Sequence, residues 1–228
     1  MNIKAITDTL VQEVGKLRFA SPVAHVYNPL EYARDTWDLY AARYGHGERE
    51  IILLGMNPGP WGMVQTGVPF GDVTMVREWL EIEGKIGTPA ETHPKRPVSG
   101  FSCPRREVSG TRLWGWARER FNTPKKFFSR FFVANYCPLA FMETSGRNRT
   151  PNNLPAREKE PLFMACDQAL KETVRIMKPQ WVLGLGKFAA GRASEALKGT
   201  PVRIGSLTHP SPANPRANRG WATVVQRE

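Results

Sequence analysis

Residues 51–63 read IILLGMNPGPWGM. The first four form an unbroken apolar run, the signature of a strand covered on both faces. The pattern stops at Gly55, and three glycines, two prolines and one asparagine fall between Gly55 and Gly62. Backbone control of this density raises the question of whether the chain bends around a ligand or only around itself.

The neighbouring segments answer it. Two further runs, FFVANYCPL (131–139) and QWVLGLG (180–186), read as buried strands, VRIGSL (202–207) as a fourth strand, and HVYNPL (25–30) as a short one. Helical spacing covers residues 3–18, about 31–44, GDVTMVREWLEI (71–82), SGTRLWGWARERF (109–121, with Ser109 as the expected cap), TPKKFFSRF (123–131), 156–177 with a bend expected at Pro161, and KFAAGRASEALKG (187–199). Tyr32, Trp37 and Tyr40 are expected to pack inward. Strands alternating with helices predict an α/β fold, a central, mostly parallel four-stranded sheet flanked by helices, in one domain spanning 1–228. Ligands of such sheets bind beyond the carboxyl ends of the strands. Three strands end in GMNPGP, ANYCPL and LTHPSP, so these loops are expected to converge on one crevice. Residues 84–110, rich in proline and glycine, form a long loop of the kind that is often functional, and GRNRTPNNLP (146–155) reads as a second loop.

Composition narrows the function. With 32 Lys+Arg against 21 Asp+Glu, the formal charge of +11 favours a polyanionic partner, although a generally basic surface would give the same count. Cys103, Cys137 and Cys166 are too scattered for a disulfide framework or a zinc site and are expected to be buried free thiols. The amphipathic N-terminus is unlike a signal peptide, and no run approaches the roughly 20 apolar residues of a membrane span. An intracellular protein of a reducing compartment is expected, cytoplasmic or, in a eukaryotic cell, nuclear.

The converging loops deliver Asn57, Asn135, His209 and Ser211. The first and last contain no acid, which disfavours paired-carboxylate hydrolysis, and neither a nucleophile elbow nor a phosphate loop is present. An asparagine amide offers a donor and an acceptor side by side, suited to a nucleobase edge. Phe70 can stack on the ring, and a neutral histidine can donate to a carbonyl that turns negative as a bond breaks. With the basic charge, this suggests a base taken out of DNA.

GMNPGPWGMVQTGVPFG, ANYCPL, SGRNRTPNNLP and HPSPANPRANRGW, in this order, resemble the single-strand-selective monofunctional uracil-DNA glycosylase family of the uracil-DNA glycosylase superfamily. The resemblance implies a three-layer fold and hydrolysis of the N-glycosidic bond of uracil, and of 5-substituted uracils such as 5-hydroxymethyluracil, in single- and double-stranded DNA. The product is an abasic site; no metal and no cofactor are implied, and the partner is uracil-containing DNA bound by a monomer. It further implies that Asn57 positions water, His209 stabilises the leaving uracil anion, Asn135 reads the base edge and Phe70 stacks on it. Met56 and Gly59 would line the pocket with backbone. The segment carrying Ser211, Pro212, Ala213, Arg216 and Arg219 would enter the DNA as a wedge and hold phosphate. Two departures stand out: Ala213 occupies a wedge position where an arginine is expected, and the chain stops soon after Trp221, where relatives continue into a longer helix. Trp61 is expected as apolar pocket wall.

Taken singly, each residue has a plainer reading. Asn57 can hold a turn, Asn135 can end a strand, Phe70 can be core, His209 can be a satisfied loop histidine, and Lys95, Arg96, Arg105 and Arg106 can be a solvated basic loop. Two other functions stay open: a glycosylase for deaminated purines (xanthine, hypoxanthine), and a DNA-binding module with a catalytically weak pocket.

Overall fold

A computed structural model describes residues 2–228. Strands β2 (Ile51–Gly55), β3 (Phe131–Asn135), β6 (Trp181–Leu185) and β7 (Arg203–Leu207) form one parallel sheet in the order β3-β2-β6-β7. The expected four strands are therefore the observed four. Both faces are covered over β2, β3 and β6, which explains their lack of apolar–polar alternation, whereas no residue of the edge strand β7 is fully buried. On one face Ile52, Leu54, Phe132 and Ala134 share an apolar seam with Ile3, Ile6 and Leu10 of α1 (Ile3–Gly15), Trp37 of α3 (Arg34–Tyr44), and Cys166 and Leu170 of α8 (Ala156–Met177). The other face meets Trp116 of α6 (Val108–Phe121) and Trp221 and Val225 of α10 (Trp221–Val225). Trp37 and Tyr40 are buried as expected, and Tyr32 donates its hydroxyl to the Val64 carbonyl at 2.7 Å.

A second sheet escaped the sequence reading. β1 (Val23–Tyr27), β4 (Ala140–Glu143) and β5 (Asn148–Arg149) pair antiparallel in the order β1-β4-β5. β1 begins two residues before the expected strand, and Pro29 opens a short α2 (Pro29–Tyr32) in place of the strand's end. Residues 146–155, read as loop, contain β5, whose two residues are too short to carry a period. α8 runs through Pro161 as one helix.

The long segment after α5 (Val73–Glu78) has little regular structure until α6, but it is pinned. Gln65, fully buried in α4 (Met63–Thr66), donates to the Pro60 and Pro97 carbonyls and accepts from the Ser99 amide. The Tyr27 hydroxyl accepts from His93 N–H and donates to the Arg96 carbonyl. All three cysteines are free and buried. Among the described residues no helix is long and apolar enough to cross a membrane.

Helix α9 (Lys187–Ala196) lies so close to β6 that a Cβ on Gly184 would run into the Ala190 backbone. Rotamer change cannot relieve such a collision. We expect Gly184→Ala to cost about 1–3 kcal/mol, read from the midpoint shift in denaturant unfolding; an unchanged midpoint would show that α9 can slide.

Candidate active site

The carboxyl ends of β2, β3 and β7 open into one cleft of about 380 Å³, lined by Met56, Asn57, Gly59, Phe70, Asn135, His209 and Ser211, among others. This volume suits a small organic ligand. The GMNPGP strap is thus bent around a cavity. Beyond β2 the pairing with the β3 chain continues for two rungs, Tyr136 N–H to the Gly55 carbonyl and Cys137 N–H to the Met56 carbonyl, both 2.9 Å. These rungs hold the strap where it leaves the sheet. The Asn57 amide then donates Nδ2 to the Leu139 carbonyl at 3.1 Å, leaving Oδ1 as the free acceptor.

Asn135 and Phe70 meet over Gly55. A Cβ there would overlap Asn135 Oδ1 and lie 2.6 Å from the Phe70 ring. Asn135 Nδ2 rests on Met63 Sδ at 3.3 Å, a weak acceptor that a carbonyl oxygen would displace. Phe70 has a φ of 54°, a conformation that costs a bulky residue energy. It is held there because its carbonyl accepts from Trp114 Nε1 at 3.0 Å and Asp72 N–H at 2.8 Å.

His209 precedes Pro210, and the Ser211 amide donates to its Nδ1 at 3.0 Å. The ring proton therefore sits on Nε2. Burial lowers the imidazole pKa from its ordinary 6.5, so the ring is neutral at physiological pH.

Sequence reasoning missed several lining residues: Pro58, Pro60, Gly62, Met63, Glu107, Ser109, Asn148 and Thr150. Burial raises the Glu107 carboxyl pKa above its usual range, the Asp72 charge adds to this, and the Ser109 amide and hydroxyl pull the other way. Ser109 does not cap α6: the helix starts at Val108, behind Glu107, and Ser109 faces the cleft from inside it. Glu107 was detectable as the single acid among four basic residues in 92–110. Asn148 and Thr150 lie in a segment that figured only as part of a motif.

Trp61 does not line the cleft. It stacks under Arg105 at 4.4 Å and Arg96 at 5.1 Å, beside Pro60 and Gly62, which do line it. Of the expected DNA-contacting residues, only Ser211 borders the cleft; Pro212, Ala213 and Arg219 are exposed. Arg216 is exposed too, but it pairs with Glu228 at 2.9 Å, and Glu228 also accepts from Thr208 N–H and Oγ1–H, both at 2.7 Å. Arg112 braces the same segment through the Pro210 carbonyl and Asn218. Among the described residues no group of three or more His, Cys, Asp or Glu could hold a metal ion.

The cleft at the carboxyl ends of the sheet holds three asparagines, a phenylalanine and a neutral histidine, and the chain falls in the uracil-DNA glycosylase class: the Uracil DNA glycosylase superfamily model matches residues 42–225. Single-strand selective monofunctional uracil-DNA glycosylase of Rattus norvegicus is 49% identical over 216 residues, 94% of this chain and 78% of that one. The Bos taurus protein of that name is 47% identical over 219 residues, 95% of this chain and 80% of that one. The chain belongs to the single-strand-selective monofunctional uracil-DNA glycosylase family, hydrolases of the N-glycosidic bond. The fold agrees with the crystal structure of Pedobacter heparinus SMUG2, with a TM-score of 0.67 at 17% identity, covering 97% of this chain and 94% of that one.

A lowered histidine pKa has a defined sign. The unfolded chain takes up the His209 proton first, so stability is lost as pH falls through about 6.5 toward the native value. We expect an NMR titration to place His209 below 6.5 with the Nε2–H tautomer. A value above 6.5 would contradict a half-buried, neutral ring.

Proposed function

We propose that the chain is a monofunctional DNA glycosylase that hydrolyses the N-glycosidic bond of uracil in DNA, including 5-substituted uracils such as 5-hydroxymethyluracil, and leaves an abasic site. His209 carries this reading: a half-buried neutral imidazole, protonated on Nε2, lines the same cleft as Asn57, Asn135 and Phe70. As the bond breaks, the sugar gains positive charge and the base negative charge. The Nε2–H donates to the base carbonyl where that negative charge collects. The free Asn57 Oδ1 orients the attacking water. The Asn135 amide exchanges its weak contact with Met63 for the amide edge of the base, and the Phe70 ring stacks on the base face. A base reaches such a pocket only by leaving the stack.

The rim suits the phosphate backbone. Arg96 and Arg105 at Trp61 border one side of the cleft, and the exposed 211–219 segment with Arg219 borders the other. The Arg216–Glu228 pair, being exposed, is worth about 0–1 kcal/mol and yields to phosphate. Ala213 leaves the wedge short, which weakens entry into a duplex and favours single strands.

The test is incubation with uracil oligonucleotides, single- and double-stranded, in EDTA, followed by alkali. We expect strand breaks at uracil, reduced about 10²–10³-fold in His209→Ala and strongly reduced in Asn57→Ala. Asn57→Asp, which can take a proton, should turn over faster. Ala213→Arg should raise duplex cleavage relative to single-strand cleavage. Release of xanthine or hypoxanthine in place of uracil would transfer the site to deaminated purines, and salt-sensitive binding with no release would make the chain a binding module.

A further inference from the structure

Asn57 can orient a water molecule, but its amide cannot take the proton that water loses. His209 presents an N–H to the cleft and is equally unable to accept at that nitrogen. Among the described residues only one other ionisable side chain lines the cleft: Glu107.

Its placement is specific. The Glu107 N–H donates to Asp72 Oδ2 at 3.1 Å, and its carbonyl accepts from Thr111 N–H at 2.8 Å and Thr111 Oγ1–H at 3.1 Å. The backbone is fixed on both sides, and the side chain runs along the glycine-rich strap. A Cβ on Gly59 would lie 2.6 Å from Glu107 Oε2, and one on Gly62 would lie 2.8 Å from Glu107 Cγ. Neither glycine has a positive φ, although Gly62, at φ −109° and ψ −109°, also lies outside the regions open to other residues. They are glycines because the Glu107 carboxyl occupies the room that a side chain would need. The Glu107 carboxyl thus packs against the strap at Gly59, two residues along the chain from Asn57, and lines the same cleft.

We propose that Glu107 is the proton acceptor of the hydrolysis, a catalytic residue working on the water that Asn57 holds; this rests on the glycosylase reading above. The C1′–N bond breaks with its electron pair going to the base, where His209 stabilises it. The water oxygen forms the new bond to C1′, and the proton it sheds passes to a Glu107 carboxylate oxygen. That proton returns to the departed base or to solvent, and no other reactant is needed. Burial favours the protonated carboxyl, which makes it a better acceptor once ionised but confines it to the higher part of the pH range. The ionisable groups facing Glu107 are Asp72 with its partner Arg106, adjoining the backbone of 106–107, and His209 across the cleft. Glu107→Gln leaves all three in place.

The measurement is single-turnover release of uracil from a single-stranded oligonucleotide by the full chain, between pH 5 and 9. Glu107→Gln, matched in shape, should lower the rate at neutral pH by about 10²-fold with DNA affinity unchanged. It should also remove the part of the acid limb that Glu107 causes. In Glu107→Ala, formate should restore part of the rate saturably, which a merely structural residue would not allow. A wild-type rate and pH profile in Glu107→Gln would overturn the proposal, as would a folded, inactive Glu107→Ala that formate does not rescue. Failure of the wild type to release uracil would overturn the glycosylase reading itself, a separate result.

Discussion

A fully buried carboxylate, Asp72, holds the site together. It accepts from Met75 N–H and so starts α5, receives the Arg106 guanidinium at 2.8 and 3.0 Å, and accepts the Glu107 amide. A charge this deep is tolerable only when several donors replace its water, and here two donors are backbone N–H groups and two belong to one guanidinium. The consequence is geometric. Asp72 N–H holds the Phe70 carbonyl, so Phe70 and the 106–107 segment, more than thirty residues apart, are set by one residue. Gly110 completes the joint, because a Cβ there would run into the Phe70 carbonyl. The same knot therefore fixes a strained aromatic platform and the start of α6.

The glycines of the strap follow from these neighbours. Gly55, Gly59 and Gly62 all lack a positive φ. Gly55 makes room for Asn135 and the Phe70 ring, and Gly59 and Gly62 make room for Glu107. In each case the missing Cβ lets a functional group sit against backbone at a distance that alanine would forbid. A glycine-rich loop is usually read as freedom of conformation. Here it records close approach, and the approaching groups come from 70, 107 and 135, each distant in sequence.

That distinction explains what could be read in the sequence. Four runs bounded by turn residues identified the parallel sheet, and the rule that ligands bind at strand carboxyl ends gathered Asn57, Asn135 and His209, with Phe70 from the segment after the strap. The β1-β4-β5 sheet was not legible because its strands are short and lack clean alternation; pairing creates them, not propensity. Ser109 looked like a cap because Ser precedes a helical pattern, but the Asp72 bond to Glu107 moves the helix start forward. Trp61 looked like pocket wall because it sits inside the motif, yet two arginines claim its ring. Arg216 was read as free for phosphate, and only the fold shows that Glu228 reaches it.

The chain also carries its own control for His209. His93-Pro94-Lys95 repeats the local form of His209-Pro210-Ser211, and in both the amide two residues on donates to Nδ1 at 3.0 Å. Three residues therefore suffice to set the tautomer, because proline fixes the turn and the third amide blocks Nδ1. What differs is the partner of Nε2. In His93 it meets the Thr144 carbonyl at 2.9 Å, and the ring is a buried tie between the long loop and the turn after β4. In His209 the ring borders the cleft, where a substrate oxygen can take the place that Thr144 fills elsewhere. The motif thus supplies an aimed N–H donor, and its position at the end of β7 points that donor into the cleft. This is why HPxx alone is a weak signal, and why it becomes a strong one once the strand before it is known to run parallel to β2 in the same sheet and to end at the same cleft.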